Sequence, residues 1–214
     1  MLLGVAACGS GSGSPIVVRM GPRTITKAAL DRWTAIEAVV TYEAYPRGPV
    51  PKGIIPDPPN YTNCVAYLQG IAPRSSLMPN AQLKQRCQAE RSVLQNQMLE
   101  ILITSYWLKS EAASKGLNVS YAEAKRVLNE KFGTKAARDR FLALTGEREA
   151  DEEFLLKRTM LANKLLAVVE GSANSPSDRR QAAARFYSEL TKRWARRTDC
   201  RVGYVVAQCR QHHT

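Results

Sequence analysis

At 214 residues, 44% hydrophobic and with a mean hydropathy of -0.30, the chain reads as soluble and globular, with enough length for one well-cored domain and not for several. Its 31 Lys and Arg against 19 Asp and Glu give a net charge of +12 and a pI near 9.7. That balance favours anionic partners such as phospholipid headgroups, wall polymers or nucleic acid, with a basic solvated surface that has no specific partner as the alternative.

Residues 1–14, MLLGVAACGSGSGS, carry no fold-forming pattern. Val5-Ala6-Ala7-Cys8 resembles a bacterial lipobox, where cleavage before the cysteine is followed by attachment of a diacylglycerol to its sulfur. The seven residues ahead of Cys8 make a truncated signal, and the Gly/Ser run after it is a flexible linker. Cysteine arithmetic points the same way. Of five cysteines, giving Cys8 to lipid leaves Cys64, Cys87, Cys200 and Cys209, enough for two disulfides in an oxidising compartment. The expected location is the outer face of the cell membrane, reached through a lipid anchor. Three pairings exist. The preferred one joins Cys64 to Cys87, stapling a loop to a weakly apolar helix segment, and Cys200 to Cys209, closing a tight terminal loop. No CxxC or HxxxH spacing occurs, and the two histidines, His212 and His213, sit at the chain end, so neither a metal nor a cofactor is expected.

Residues 15–25 predict a hairpin: Ile16, Val17 and Val18 form a β-branched run, Gly21-Pro22 turns, and Thr24-Ile25 returns. Thr26 then caps a helix whose inner face is Ala29, Leu30, Trp33, Ile36 and Val40. Six prolines between Tyr45 and Pro59 exclude helix and central strand. A short helix over 60–69 turns Tyr61, Val65 and Leu68 one way, and an irregular stretch follows. Residues 80–116 lack proline altogether and predict one helix of roughly 50 Å, capped by Asn80 and stopped by Gly116. Its halves differ. Apolar positions are sparse in the first (Leu83, Cys87, Val93, Leu94), whereas residues 98–108 are apolar nearly all round. The second half should be wrapped by other helices and the first should lie on a surface.

Ser120 and Glu123 form a capping box, Thr134 caps a helix over 135–144 with Phe141 and Leu144 inward, and a longer helix covers about 150–170. That longer helix carries Phe154, Leu155, Leu161, Leu165, Leu166, Val168 and Val169 as a broad apolar face. After a linker, Ser175-Pro176 opens a closing helix over about 176–197, with Ala183, Phe186, Tyr187, Leu190 and Trp194 at helical spacing. Charge concentrates here. Residues 179–214 hold nine Lys and Arg against two Asp and Glu, and Arg179, Arg180, Arg185, Lys192, Arg193, Arg196 and Arg197 define a basic surface. In the tail, 198–209, Tyr204-Val205-Val206 is short enough to be a third strand. The fold class is therefore mainly α: one long central helix and a small N-terminal hairpin that a C-terminal strand can join, in a single domain over 15–209.

In order along the chain, residues 18–33 (VRMGPRTITKAALDRW), Pro58-Pro59-Asn60-Tyr61, residues 102–116 and residues 120–141 resemble the N-terminal module of SurA/PrsA-type foldases. The tail, with Thr198-Asp199-Cys200, Gly203-Tyr204-Val205-Val206 and Cys209, is similar to the end of actinobacterial lipoproteins of this type. The likeness covers nearly all of residues 16–209. It implies a helical SurA N-terminal-like chaperone cradle that binds unfolded or partly folded exported polypeptides without turnover. Many relatives insert a parvulin-type peptidyl-prolyl isomerase domain before the closing helix. Here only a linker lies between Gly171 and Asp178, so no parvulin domain is expected and no catalytic residue is carried over.

A polypeptide-holding surface needs apolar groups left partly exposed and rimmed by charge. Tyr45, Tyr61, Tyr67 and Tyr106 are the candidates, with the core as the alternative place for each; Trp33 and Trp107 belong more naturally to the core. No Cys/His, Ser/His/Asp or paired-carboxylate constellation stands out, and Asp151-Glu152-Glu153 reads as the negative first turn of a helix, so no enzyme is expected. The alternative function is a basic interaction module, in which residues 179–201 bind anionic membrane, wall polymer or a partner protein. Nucleic acid is not an expected partner, because an exported lipoprotein does not meet the chromosome.

Overall fold

Strand β1 (Ile16–Met20) and strand β2 (Arg23–Thr26) pair antiparallel, with Val18 opposite Ile25 and Met20 opposite Arg23. The structure, a computed structural model, describes residues 14–42, 49–72, 78–171, 173 and 175–212. A third strand, β3 (Thr198–Cys200), adds antiparallel to the other edge of β1 and gives the order β2-β1-β3. The C-terminal strand is thus six residues earlier than expected. Residues 204–206 cannot extend the ladder because their backbone closes turns instead: Tyr204 N donates to Arg201 O at 2.9 Å and Cys209 N to Val206 O at 2.9 Å. Thr198 seats the strand. It is fully buried, its Oγ1 accepts from Trp107 Nε1 at 3.0 Å and donates to the Trp194 carbonyl at 2.9 Å.

Helix α1 (Lys27–Val40) starts where Thr26 Oγ1 accepts from Ala29 N at 3.2 Å. Leu30, Trp33, Thr34, Ile36, Ala38 and Val39 are buried, while Ala29 and Val40, expected on that inner face, are exposed at the two ends of the helix. Helix α2 (Thr62–Ile71) is capped at a distance: the Asp57 carboxylate accepts from the backbone N–H groups of Asn63 (3.1 Å) and Cys64 (3.2 Å). Gly53 lies against this end with φ +99°, where a Cβ would collide with the Asn63 carbonyl.

Helix α3 (Asn80–Ser114) runs for 35 residues. Pro79, not Asn80, holds the cap position; Asn80 is the first helical residue and its Oδ1 accepts from Gln69 Nε2 at 2.6 Å, tying the end of α2 to the start of α3. At the far end Gly116 adopts φ +69°, and Leu117 N and Gly116 N donate to the carbonyls of Ala112 (2.8 Å) and Ala113 (3.1 Å), a Schellman closure. Helix α4 (Tyr121–Phe132) opens on the Ser120–Glu123 capping box. Helix α5 (Lys135–Thr145) is capped by Thr134, helix α6 (Glu149–Glu170) follows, and helix α7 (Pro176–Ala195) is capped by Ser175 with Pro176 in its first turn. On α6 the apolar face is narrower than expected, since Val168 is exposed; on α7, Tyr187 is exposed too.

Two separate apolar cores result. The main one gathers the sheet, α1, the second half of α3, α6 and α7 around Leu30, Leu99, Ile103, Trp107 and Leu165. A satellite core of Tyr61, Cys64, Leu68, Leu83 and Cys87 joins α2 to the first half of α3. Among the described residues, no helix is long and apolar enough to cross a membrane.

Candidate functional site

The first half of α3 has too few apolar residues to be held by packing alone, and the structure secures it by other means. Cys64 and Cys87 form a disulfide with Cα atoms 6.1 Å apart, buried within the satellite core. Polar contacts then bind the helix to its neighbours. Arg91 donates through Nη2 to Asp31 of α1 at 2.6 Å, and through Nη1 to the Pro56 carbonyl at 3.5 Å. Gln97 donates to Glu37 at 2.8 Å, and burial pushes the Glu37 carboxyl above its ordinary range. The proline-rich loop reaches this site through a cis Pro58–Pro59 peptide.

Around this half, aliphatic side chains are left in solvent. Val40 at the end of α1, Ile55 in the loop, Ile71 at the end of α2, Met78 before α3 and Val93 on α3 are all exposed, Val93 at 64%. Arg86 and Glu90, paired at 2.8 Å, supply charge on the same stretch of helix. Of these residues the sequence singles out two: Val40, expected on the inner face of α1, and Val93 on the long helix. The position of Val93 off the Leu83–Cys87 stripe was a usable signal; the exposure of the others follows from how the loop and α2 dock.

Of the candidate tyrosines, Tyr61 and Tyr67 gather at the satellite core and Tyr106 lies apart, against the main core. Tyr61, expected near the surface, is 8% exposed: it caps α2 in the left-handed region (φ 58°) and its ring enters the satellite core. Tyr67 is half-buried beside that core, where burial and a hydrogen bond with Tyr42 push its phenol above the ordinary value. Tyr106 is half-buried against the main core, its ring 6.3 Å from that of Phe154. Tyr45 and Cys8 lie outside the described residues. Trp33 and Trp107 are core residues, at 8% and 1% exposure.

The basic surface divides in two. Arg193, itself exposed, is tied down by donating to both oxygens of Glu111, a buried carboxylate on α3, at 3.0–3.1 Å. Lys192 pairs with Glu189 at 3.0 Å and the Arg197 guanidinium lies 5.7 Å from the centre of the Trp194 ring. Arg179, Arg180, Arg185 and Arg196 are exposed, with no ion-pair partner among the described residues. At the tail, Cys200 and Cys209 form the second disulfide, Cα atoms 5.7 Å apart. Two disulfides place the folded chain in an oxidising compartment.

A buried acidic cluster at the start of α6 went unrecognised in the sequence beyond its helix-dipole role. Asp151 and Glu152 are each 4% exposed and Glu147 7%. Asp151 accepts from the Arg148 backbone N–H at 2.8 Å, from the Arg148 guanidinium, and from both terminal nitrogens of Arg32 on α1. Burial opposes its ionisation, but those hydrogen bonds outweigh burial and hold the carboxyl down at about 2. Glu152 accepts from Lys131 of α4 at 2.6 Å. Among the described residues no cation pairs with Glu147: burial, followed by the hydrogen bond and charge of Glu152, pushes it up to about 8. The cluster clamps α1, α4 and α6 together.

No protein-family model, no curated protein and no solved structure matches this chain.

Proposed function

We propose that the chain is a non-catalytic chaperone module, held at the outer face of the cell membrane by a lipid on Cys8, that binds unfolded or partly folded exported polypeptides. The observation that carries the reading is the group of exposed aliphatics, Val40, Ile55, Ile71, Met78 and Val93, on the elements around the first half of α3. Apolar side chains left in water next to charged ones suit transient, sequence-tolerant contacts with an unfolded segment. The two disulfides fit work outside the cytoplasm. The resemblance to SurA/PrsA-type modules supports the same reading. The test is aggregation of a chemically unfolded client diluted into buffer, followed by light scattering. Protection is expected at a few-fold molar excess and should persist near 0.5 M NaCl, because apolar contact is not screened. Absence of protection at any excess rejects the reading. A prolyl-peptide isomerisation assay should give only the uncatalysed rate.

A second reading rests on Arg179, Arg180, Arg185 and Arg196, exposed and without carboxylate partners among the described residues. A basic module of this kind would bind vesicles of anionic lipid, and that binding would collapse as salt rises.

A further inference from the structure

A cavity of about 260 Å³ opens between the second half of α3, the stretch after Gly116 and α6. Leu117, Val119, Phe154 and Leu161 make its apolar lining, and the exposed Ala113 and Lys109 mark its mouth. Besides the neutral Ser105 and Asn118, the polar groups that border it are all cationic. Lys157 is already paired, with Glu153 at 2.5 Å. Lys109 and Arg158 have no carboxylate partner among the described residues. Among the described residues Arg158 reaches only the Thr104 hydroxyl, 3.5 Å from Nη2, and its Nε is buried without an acceptor. A guanidinium half-buried beside apolar walls with no counter-ion is a standing electrostatic cost, which a bound anion removes.

From these features the geometry points to a binding site for a fatty acid: a single hydrocarbon tail against Leu117, Val119, Phe154 and Leu161, and a carboxylate held between Lys109 and Arg158. An apolar enclosure with a few convergent polar groups of matching charge is the usual form of a small-molecule site. Its volume, near the lower end of such sites at roughly 300–1,000 Å³, takes one acyl tail and not the two of a phospholipid. The site is independent of polypeptide holding. Lys109 lies sixteen residues beyond Val93 on the same helix, roughly 24 Å along its axis.

The full chain is titrated calorimetrically with dodecanoate below its micellar range, with dodecanol and with a short peptide ending in apolar residues and a free carboxylate as comparators. The expected result is one dodecanoate per chain, with dodecanol at least about tenfold weaker, a difference of about 1.4 kcal/mol for losing the charged head. Lys109→Glu and Ala113→Trp alter exposed positions at the mouth, and each should weaken dodecanoate about tenfold or more while leaving the urea midpoint unchanged. The proposal is overturned by no binding of dodecanoate, by equal binding of the alcohol, by indifference to both substitutions, or by a peptide that binds and that dodecanoate cannot displace.

Discussion

The two halves of α3 are one continuous helix held in two different ways. From Met98 onward, Leu99, Leu102, Ile103, Trp107 and Leu108 are buried, and even the polar Ser105 and Glu111 are enclosed by packed neighbours. Before Met98, only Leu83 and Cys87 are buried, and their enclosure depends on a short helix, a proline-rich loop and a covalent bridge. Between them, from Gln88 to Gln97, the helix is fastened by polar contacts from Arg91 and Gln97 to α1. Apolar packing dominates the second half, with the hydrogen bonds of Trp107 to Thr198 and of Arg193 to Glu111 added to it. The first half gives up packing and leaves aliphatic surface available for contact.

Breaking the main core should have the largest effect. Trp107→Ala removes a ring that is 1% exposed and the donor to Thr198, and should cost about 3–5 kcal/mol, read as a lower urea midpoint with α3, the sheet and α7 unfolding together. Loss confined to the first half of α3 would refute that picture. The paired change Cys64→Ala with Cys87→Ala comes next, at roughly 3 kcal/mol by loop entropy. Its effect should be local: amide exchange rises over residues 61–90 while residues 98–112 keep their protection. Equal deprotection of both halves would show them to be a single cooperative unit.

The acidic cluster that ties α6 to α1 and α4 makes stability depend on pH. Glu147 has a folded pKa raised to about 8 from 4.5, so its contribution is fully present below about 4.5 and is lost as pH rises through 8. Asp151 has the opposite sign: held at about 2 against 3.8, its contribution is present above about 4 and lost as pH falls through 2. Urea midpoints measured between pH 5 and 8 should therefore decline, and Glu147→Gln should flatten the decline. An unchanged slope in that variant would assign the pH dependence elsewhere. The smallest change in stability is expected from Val93→Ser, within about 0.5 kcal/mol because the side chain is 64% exposed. The same variant should nevertheless protect an aggregating client less well. Full protection would remove Val93 from the holding surface.

Much of the fold was legible because its punctuation is local. Thr26, Ser120, Thr134 and Ser175 cap the helices the sequence assigns to them, since a cap needs only the side chain and the next three residues. Gly116 was legible for the same reason. The exceptions involve partners distant in sequence. Tyr61 entered the satellite core because Leu68, Leu83 and the Cys64–Cys87 bridge enclose it. Residues 198–200, not 204–206, became the third strand because Thr198 finds Trp107. The acidic cluster was read as a helix start because Arg32 and Lys131, which make it a clamp, come from two other helices.

By itself the sequence determined a mainly helical chain, the unequal halves of the long helix and the favoured pairing of its cysteines, all of which depend on periodicity, local hydrogen bonding and residue count. Tertiary structure alone decided which aliphatics remain in water, which arginines lack a counter-ion and where a cavity opens beside α6. Exposure and charge pairing are properties of what packs against a residue, and that is settled only when distant segments meet.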